Sequence, residues 1–208
     1  MKKNDILDCA ERMFKVHGYD NTTFQMIADE LKITKGAISY HFKFKWGIFD
    51  ELFSNYLKSL HEYIAENLKQ NSNSYLHYSV LYIHFFRQVM KNEENWNFFY
   101  KNEIKNFLKR EKFNLFNIMF KRITTDFHKD FTEEELRMAC HMGIGAVMKL
   151  LDEYENGTEE MPIDKYCYYY VYIIGVFSRL DEATMKKNTD LAFDFLSTHT
   201  PPTFSLFS

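Results

Sequence analysis

Proline, glycine and cysteine are scarce in this sequence of 208 residues, which contains three prolines, seven glycines and three cysteines. With few turn-forming residues and a 46% hydrophobic content, the chain is expected to be globular and helical, which excludes a disordered protein. Cys9, Cys140 and Cys167 have no metal-ligand spacing. Their odd number fits a reducing compartment, so we expect buried thiols, with redox sensing as the alternative.

Long apolar segments are also missing. The longest apolar run, 167–177, is too short to cross a bilayer, and the polar start of the chain leads into an amphipathic segment rather than a signal peptide. These features predict a cytoplasmic protein without membrane partners.

Sequence motifs of catalysis are absent. We find no nucleophile elbow, phosphate-binding loop or zinc-type histidine pair, and the glycines around Ile144 lack the strand of a dinucleotide site. A metal site at His77 and His84, or at His128 and His141, is the alternative, but no carboxylate has supporting spacing. We therefore expect no enzyme activity, no metal and no cofactor.

Positive charge is concentrated in one short stretch. The chain has a net charge of −3, whereas residues 31–45 contain four lysines and one histidine without a single acidic residue. Such a basic stretch in an acidic protein is typical of a surface that contacts phosphates.

The same region has the pattern of a helix-turn-helix. Residues 24–31 repeat apolar side chains at helical spacing, Ile33 is the apolar residue of a tight turn, and Thr34 is a good N-cap for a second helix. In a DNA-binding helix-turn-helix, this second helix enters the major groove. A solvated helical hairpin with a chance lysine cluster is the alternative.

The first quarter of the chain resembles the tetracycline-repressor (TetR) family of bacterial transcriptional regulators. The matching residues are Ile6, Leu7, Ala10, Phe14, Gly18, Tyr19, Thr22, Ile27, Ala28, Ile33, Thr34, Lys35, Gly36, Ile38, Tyr40, His41, Phe42, Lys45 and Leu52. The resemblance implies a homodimer that binds a palindromic operator and is released by a small molecule. The sequence departs from the family pattern at Lys32, where the turn commonly has glycine, at Ser39, commonly tyrosine, and at Phe44 and Trp46-Gly47.

Side-chain chemistry divides the expected DNA contacts into two groups. Gln25, Lys35, Gly36 and Ala37 are the candidates for base edges, since amides, ammonium groups and methyl groups suit adenine, guanine and thymine respectively. The candidates for phosphates are Thr23, Thr34, Ser39, Tyr40, His41 and Lys45.

Helical periodicity continues through the rest of the chain. We predict an all-α fold of about nine to ten helices, with a three-helix DNA-binding domain in residues 1–46 and a ligand-binding and dimerisation domain in residues 47–208. The predicted helices span 5–17, 45–69, 75–91, 94–108, 111–129, 132–157, 165–180 and 183–198, in addition to the hairpin. The aromatic and β-branched run at 166–177 could form a strand, but no other sheet is predicted. Residues 203–208 are expected to be loose.

Aromatic residues are dense from residue 75 onward, and most are expected to form solid core. Large flat side chains also line apolar ligand cavities, and methionines adapt to them. The predicted pocket residues are Phe86, Trp96, Phe99, Phe116, Phe120, Met138, His141 and Met142.

The helices at 132–157 and 165–180 are apolar on most sides, which predicts burial against a second copy of the chain. A deep core within one protomer is the alternative. The predicted dimer residues are Leu136, Cys140, Gly143, Val147, Leu150, Tyr169, Ile173 and Phe177.

Together these patterns predict a dimeric DNA-binding regulator, specifically a repressor, released by a small apolar or aromatic ligand. Two other functions remain open: a helical small-molecule-binding protein, and a protein-interaction adaptor. In both, the hairpin would be structural.

Overall fold

A computed structural model describes residues 2–69, 72–100, 113–157 and 161–206, with only the backbone for residues 113–115. These described ranges contain ten α-helices and no β-strand. The helices are α1 (Lys3–His17), α2 (Phe24–Leu31), α3 (Lys35–His41), α4 (Lys45–Asn67), α5 (Ser74–Val89), α6 (Glu93–Phe99), α7 (Phe113–Asp126), α8 (Glu133–Asn156), α9 (Ile163–Phe177) and α10 (Glu182–Thr198). The all-α prediction is confirmed. The predicted helix 94–108 is observed to Phe99, and its remainder lies outside the described residues.

The chain forms two compact units. Unit 1 contains the described residues up to Glu62 and those from Pro202 onward, and unit 2 contains the residues from Tyr63 to Pro201. Helix α4 continues through the boundary at Glu62. Unit 1 is therefore larger than the predicted domain 1–46, because it takes in most of α4 and a segment from the far end of the chain.

Unit 1 is built around an apolar cluster from α1 to α4, in which Ile6, Ala10, Ile27 and Ile38 are fully buried. Thr22 supports this core from the α1–α2 connection, where its buried hydroxyl donates to the carbonyl oxygen of Gly18 at 2.8 Å. The cluster fixes α2 and α3 against α1, which holds the hairpin rigid.

Unit 2 is organised around α5, which packs against α6, α7, α9 and α10. Most of its side chains are buried, and the Tyr75 hydroxyl donates to the carbonyl oxygen of Val171 at 2.9 Å. Gly175 allows the approach of α10, since a Cβ there would lie 2.5 Å from the sulfur of Met185. The run 166–177 is part of helix α9 and does not form a strand.

Helix α8 begins and ends with capping interactions. The Thr132 hydroxyl accepts from the amide of Glu135 at 3.2 Å, and the Glu135 carboxylate accepts from the amide of Thr132 at 2.8 Å. Gly157 ends the helix with a left-handed backbone, φ +60°. These reciprocal bonds satisfy amide groups that the first helical turn leaves unpaired.

The three cysteines are free and buried, as expected. Burial raises the pKa of Cys140 to about 11 and that of Cys167 to about 12, so both thiols stay protonated at neutral pH.

Residues 203–208 were expected to be loose. This expectation is wrong for the described residues of the segment, because only 3% of the surface of Phe204 is exposed in unit 1.

Candidate nucleic-acid interface

The hairpin in unit 1 has the predicted turn, the predicted cap at Thr34 and a further cap at Thr23. The Thr23 hydroxyl accepts from the amide of Met26 at 3.2 Å, and the Thr34 hydroxyl accepts from the amide of Ala37 at 3.3 Å. Between these caps, the backbone of Lys32 has the left-handed conformation, with φ 55° and ψ 45°. Glycine is common at this position in the family pattern. The α2–α3 turn thus forms despite a non-glycine residue.

Helix α3 exposes one face of the hairpin and buries the other. Ile38 is fully buried in the unit 1 core. Lys35, Gly36, Ser39 and Tyr40 are exposed, and Tyr40 has 86% of its surface accessible. Ala37 and His41 are half-buried, so α3 presents a polar and aromatic strip opposite its anchor.

Lys32 and Lys43 are also exposed, and they lie on the connections before and after α3. Together with Lys35 they give α3 three exposed ammonium groups within a stretch that has no carboxylate. Positive charge around an exposed helix suits a polyanion.

The three polar candidates on α2 and the turn differ in availability. Thr23 and Thr34 use a hydroxyl lone pair to cap, which leaves each O–H able to donate. The Gln25 amide donates to the carboxylate of Asp29 at 2.7 Å, so it must rotate or use its remaining groups to read a base.

Lys45 was predicted to contact a phosphate, but its ammonium group is hydrogen-bonded within unit 1. Its ammonium group donates to the carbonyl oxygens of Tyr19, Asp20 and Thr22 at 2.6, 3.1 and 2.9 Å, and lies 4.4 Å from the centre of the Tyr19 ring. Burial lowers the pKa of the Lys45 ammonium, partly opposed by the charge of Asp20. All three N–H donors are thus used to close the α1–α2 connection onto α4.

An exposed aromatic pair was not among the predicted site residues. The rings of Phe44 and Trp46 stack with centroids 5.7 Å apart and an interplanar angle of 12°, and both remain substantially exposed. The sequence showed these residues only as departures from the family pattern. Their apolar character in an exposed basic stretch was the available signal.

The predicted pocket residues of unit 2 differ in burial. The rings of Phe86 and Phe99 have centroids 6.2 Å apart and belong to a packed aromatic core, as does Trp96. Met138, His141 and Met142 are instead exposed on α8. Around the axis of α8, Met138 and Met142 lie about 160° and His141 about 100° from buried Cys140. Phe116 contacts Tyr82 through rings 6.3 Å apart, and Phe120 is buried.

The predicted dimer residues also divide into buried and more exposed ones. Cys140, Gly143 and Val147 are buried within the protomer, and a Cβ on Gly143 would lie 2.9 Å from the Phe120 ring. These three are therefore corrected to internal packing residues. Tyr169 is exposed, and four predicted residues are half-buried: Leu136, Leu150, Ile173 and Phe177.

Across the described part of the chain, no group of three or more histidine, cysteine or carboxylate side chains is arranged to hold a metal ion. Among the same residues, no helix has the length and apolar content needed to span a membrane.

Comparison with known proteins locates similarity at the start of the chain. Residues 6–52 match the family described as bacterial regulatory proteins, tetR family. The chain is 36% identical over 66 residues to the probable acrEF/envCD operon repressor of Escherichia coli K12, covering 32% of this chain and 30% of that protein. It is 31% identical over 96 residues to IcaR of Staphylococcus aureus Newman, a biofilm operon icaADBC HTH-type negative transcriptional regulator, covering 45% and 49%.

A third relative is the HTH-type transcriptional repressor AcnR of Corynebacterium diphtheriae, 33% identical over 67 residues, or 32% of this chain and 35% of that protein. The matches thus span less than half the length of each of these relatives. Among solved structures, Mycobacterium smegmatis AmtR aligns over 95% of this chain and 94% of its own, with 16% identity and a TM-score of 0.41. The capped hairpin and its exposed basic helix thus lie within residues 6–52, the part of the chain that is similar to the tetR family of bacterial regulatory proteins.

Proposed function

We propose that this protein is a DNA-binding transcriptional regulator that acts as a repressor. The observation that carries the proposal is α3, which is anchored by buried Ile38 and exposes Lys35, Gly36 and Ser39 beside further lysines. The relatives named above are repressors or negative regulators, which supports repression as the direction of control.

In this proposal α3 lies in the major groove. Lys35, Gly36 and Ala37 at its start approach base edges, and Gln25 joins them from α2 after releasing Asp29. Thr23, Thr34, Ser39, Tyr40 and His41 hold phosphates and set the register. Lys45 positions the α1–α2 connection instead of contacting DNA.

The Phe44–Trp46 pair extends this surface. The stacked, exposed rings lie next to Lys43 in sequence and would contact the apolar edges of deoxyribose at the margin of the site. The ammonium group of Lys43 would bind a phosphate.

Trp46 and Trp96 are the two tryptophans of the chain. A Trp96→Phe variant therefore tests the contact, because added duplex should change the remaining fluorescence, and an unchanged spectrum in a bound complex contradicts it.

The proposed regulator is a homodimer that uses the outward sides of α8 and α9. Most of the large hydrophobic side chains exposed in the described part of unit 2 lie there: Met138, Met142, Tyr169 and Val176. A second copy buries equivalent residues around a twofold axis, and the palindromic operator follows from that symmetry. The two α3 helices would then be spaced about 34–36 Å apart on DNA.

Release by a small apolar or aromatic ligand completes the proposal. The aromatic interior of unit 2 supplies suitable walls, and α4 continues from the DNA-binding unit through Glu62 into unit 2. A ligand that favours the non-binding spacing would shift the population of dimers. Moving it from almost all bound to almost all released requires roughly 10⁴-fold preference. We place this regulator in the cytoplasm, where it meets DNA.

Operator selection from random duplex DNA tests the function. The full-length protein should enrich a sequence with two inverted half-sites, whereas a Lys35→Glu variant, which reverses a charge on α3, should enrich none. Enrichment of one unpaired half-site contradicts the dimer, and no enrichment at low salt favours a non-DNA role for the hairpin. Release of the selected complex by chemically diverse aromatic compounds then tests the ligand.

A further inference from the structure

The segment after α10 packs into unit 1. Its residues line a hollow of about 410 Å³ together with side chains of α1 and α4, among them Leu7, Leu52 and Tyr56. The polar residues of this hollow include Asp8, Glu11 and Asn55. The hollow is thus formed by three separate parts of the sequence, all within unit 1.

Phe204 is the buried residue of this segment. Its ring meets those of Phe49, Phe53 and Tyr56 on α4, with centroid distances of 5.8, 5.5 and 5.2 Å. The first two contacts are edge-on, at interplanar angles of 74° and 70°, which is a favourable arrangement for aromatic rings. Phe49 in turn contacts the Tyr19 ring, so the cluster connects the segment to the α1–α2 connection.

The residues after Phe204 contact α1 and the central core. The Ser205 hydroxyl donates to the Glu11 carboxylate, and Leu206 packs against the apolar cluster that buries Ile6 and Ile38. The segment therefore touches both helices that frame the hairpin.

We propose that residues 202–206 are an intramolecular clasp that completes the DNA-binding unit, with Phe204 as its anchor. The chain leaves unit 1 along α4 and returns to it at Pro202, so the two units have two covalent connections. Because burial of one aromatic ring removes a large apolar area from water, loss of the clasp loosens α1 and the first part of α4. Weaker DNA binding follows from this loosening; only that consequence rests on the proposed function.

Hydrogen exchange of the full-length protein without DNA tests the clasp. In a Phe204→Ala variant, backbone amides of α1 and of residues 45–60 should exchange about tenfold faster or more, while those of α8 to α10 keep their rates. A Thr200→Ala variant, which changes an exposed residue just before the clasp, should behave as the unaltered protein. Equal exchange of α1 in the Phe204→Ala variant and the unaltered protein overturns the proposal.

A chain that ends at Pro201 provides a second variant, and it should reproduce the accelerated exchange of α1. If this shortened chain protects α1 as well as the full chain, the clasp is disproved. Affinity for a selected operator should fall about tenfold in both variants. If the unaltered protein binds no DNA, the proposed function fails, and the exchange rates still decide the clasp.

Discussion

The ammonium nitrogen of Lys45 lies 2.6 Å from the carbonyl oxygen of Tyr19, although the two residues are 26 positions apart in sequence. The start of α4 is thereby tied to the connection between α1 and α2, where two further carbonyl oxygens accept from the same group. Lys45, predicted to contact a phosphate, thus holds the α1–α2 connection against the start of α4 in this structure, and we propose that this is its role.

Replacing Lys45 with methionine keeps the length of the side chain and removes these bonds. We expect the free energy of unfolding of unit 1 to fall by about 1.5–3 kcal/mol, since hydrogen bonds to charged groups contribute that much. Denaturation followed by Trp46 fluorescence in a Trp96→Phe background measures this. The salt dependence of DNA binding should keep its slope.

Lys43→Met is the matched control. It should reduce that slope by about one unit with little effect on unfolding, because exposed Lys43 is proposed to contact a phosphate. If Lys45→Met instead reduces the slope and leaves unfolding unchanged, Lys45 belongs with the phosphate contacts.

Gly36 separates the requirements of folding from those of DNA binding. A Cβ there would meet only the Thr34 hydroxyl at 3.7 Å, an ordinary contact, so Gly36→Ala should fold with equal or higher stability, up to about 1 kcal/mol. Affinity for a selected operator should fall about tenfold, comparable to one lost base contact. Gly47→Ala, whose Cβ would lie 3.8 Å from Phe42, adds the same methyl on α4 and should leave affinity unchanged. Unaltered affinity of the Gly36→Ala variant would exclude close approach to DNA.

Features encoded within a few residues were predictable from the sequence. The cap predicted at Thr34 depends on a side chain and an amide three residues apart, and the structure has this cap as well as equivalent ones at Thr23 and Thr132. The left-handed turn at Lys32 followed from its place in the pattern. Local chemistry decides such features before tertiary contacts form.

Features that depend on distant partners were not predictable in the same way. Helix α8 carries apolar residues on opposite sides, so periodicity alone did not reveal that Cys140 faces inward and Met142 outward. The carbonyl oxygens that bind Lys45 belong to an irregular connection, and Phe204 lies in a segment too short to show a hydrophobic period. In each case the deciding neighbour is far away in sequence.

The proposed dimer surface gives a direct prediction of assembly. Met142→Arg on α8 and Val176→Arg on α9 should each raise the dimer dissociation constant at least about thirtyfold, because a buried charge opposes association. Leu191→Arg on α10 changes a hydrophobic residue of similar exposure, 43% against 44% for Val176, outside the proposed surface. Sedimentation velocity at micromolar protein should show dissociation for the first two variants alone. Equal dissociation of the Leu191 variant would contradict the assignment of α8 and α9.

We expect Glu135 to make the stability of unit 2 depend on pH in the acid range. Its carboxylate accepts from the amide of Thr132 and from Arg179, and these bonds lower its pKa from 4.5 to about 2. Since the folded pKa is the lower one, the stabilisation is complete above pH 4.5 and is lost as pH falls towards 2. Glu135→Gln should therefore melt at a lower temperature than the unaltered chain at pH 7, and this difference should shrink between about pH 4.5 and pH 2.

Melting of unit 2 can be followed by Trp96 fluorescence in a Trp46→Phe background. Glu133→Gln removes a charge from the same first turn of α8 but leaves the Thr132–Glu135 bonds, so it should lower the melting temperature less. If the deficit of Glu135→Gln stays constant from pH 7 to pH 2, the charge of Glu135 does not stabilise the start of α8. A deficit that closes with acid shows that the ionised carboxylate, through Thr132 and Arg179, joins this helix to the end of α9.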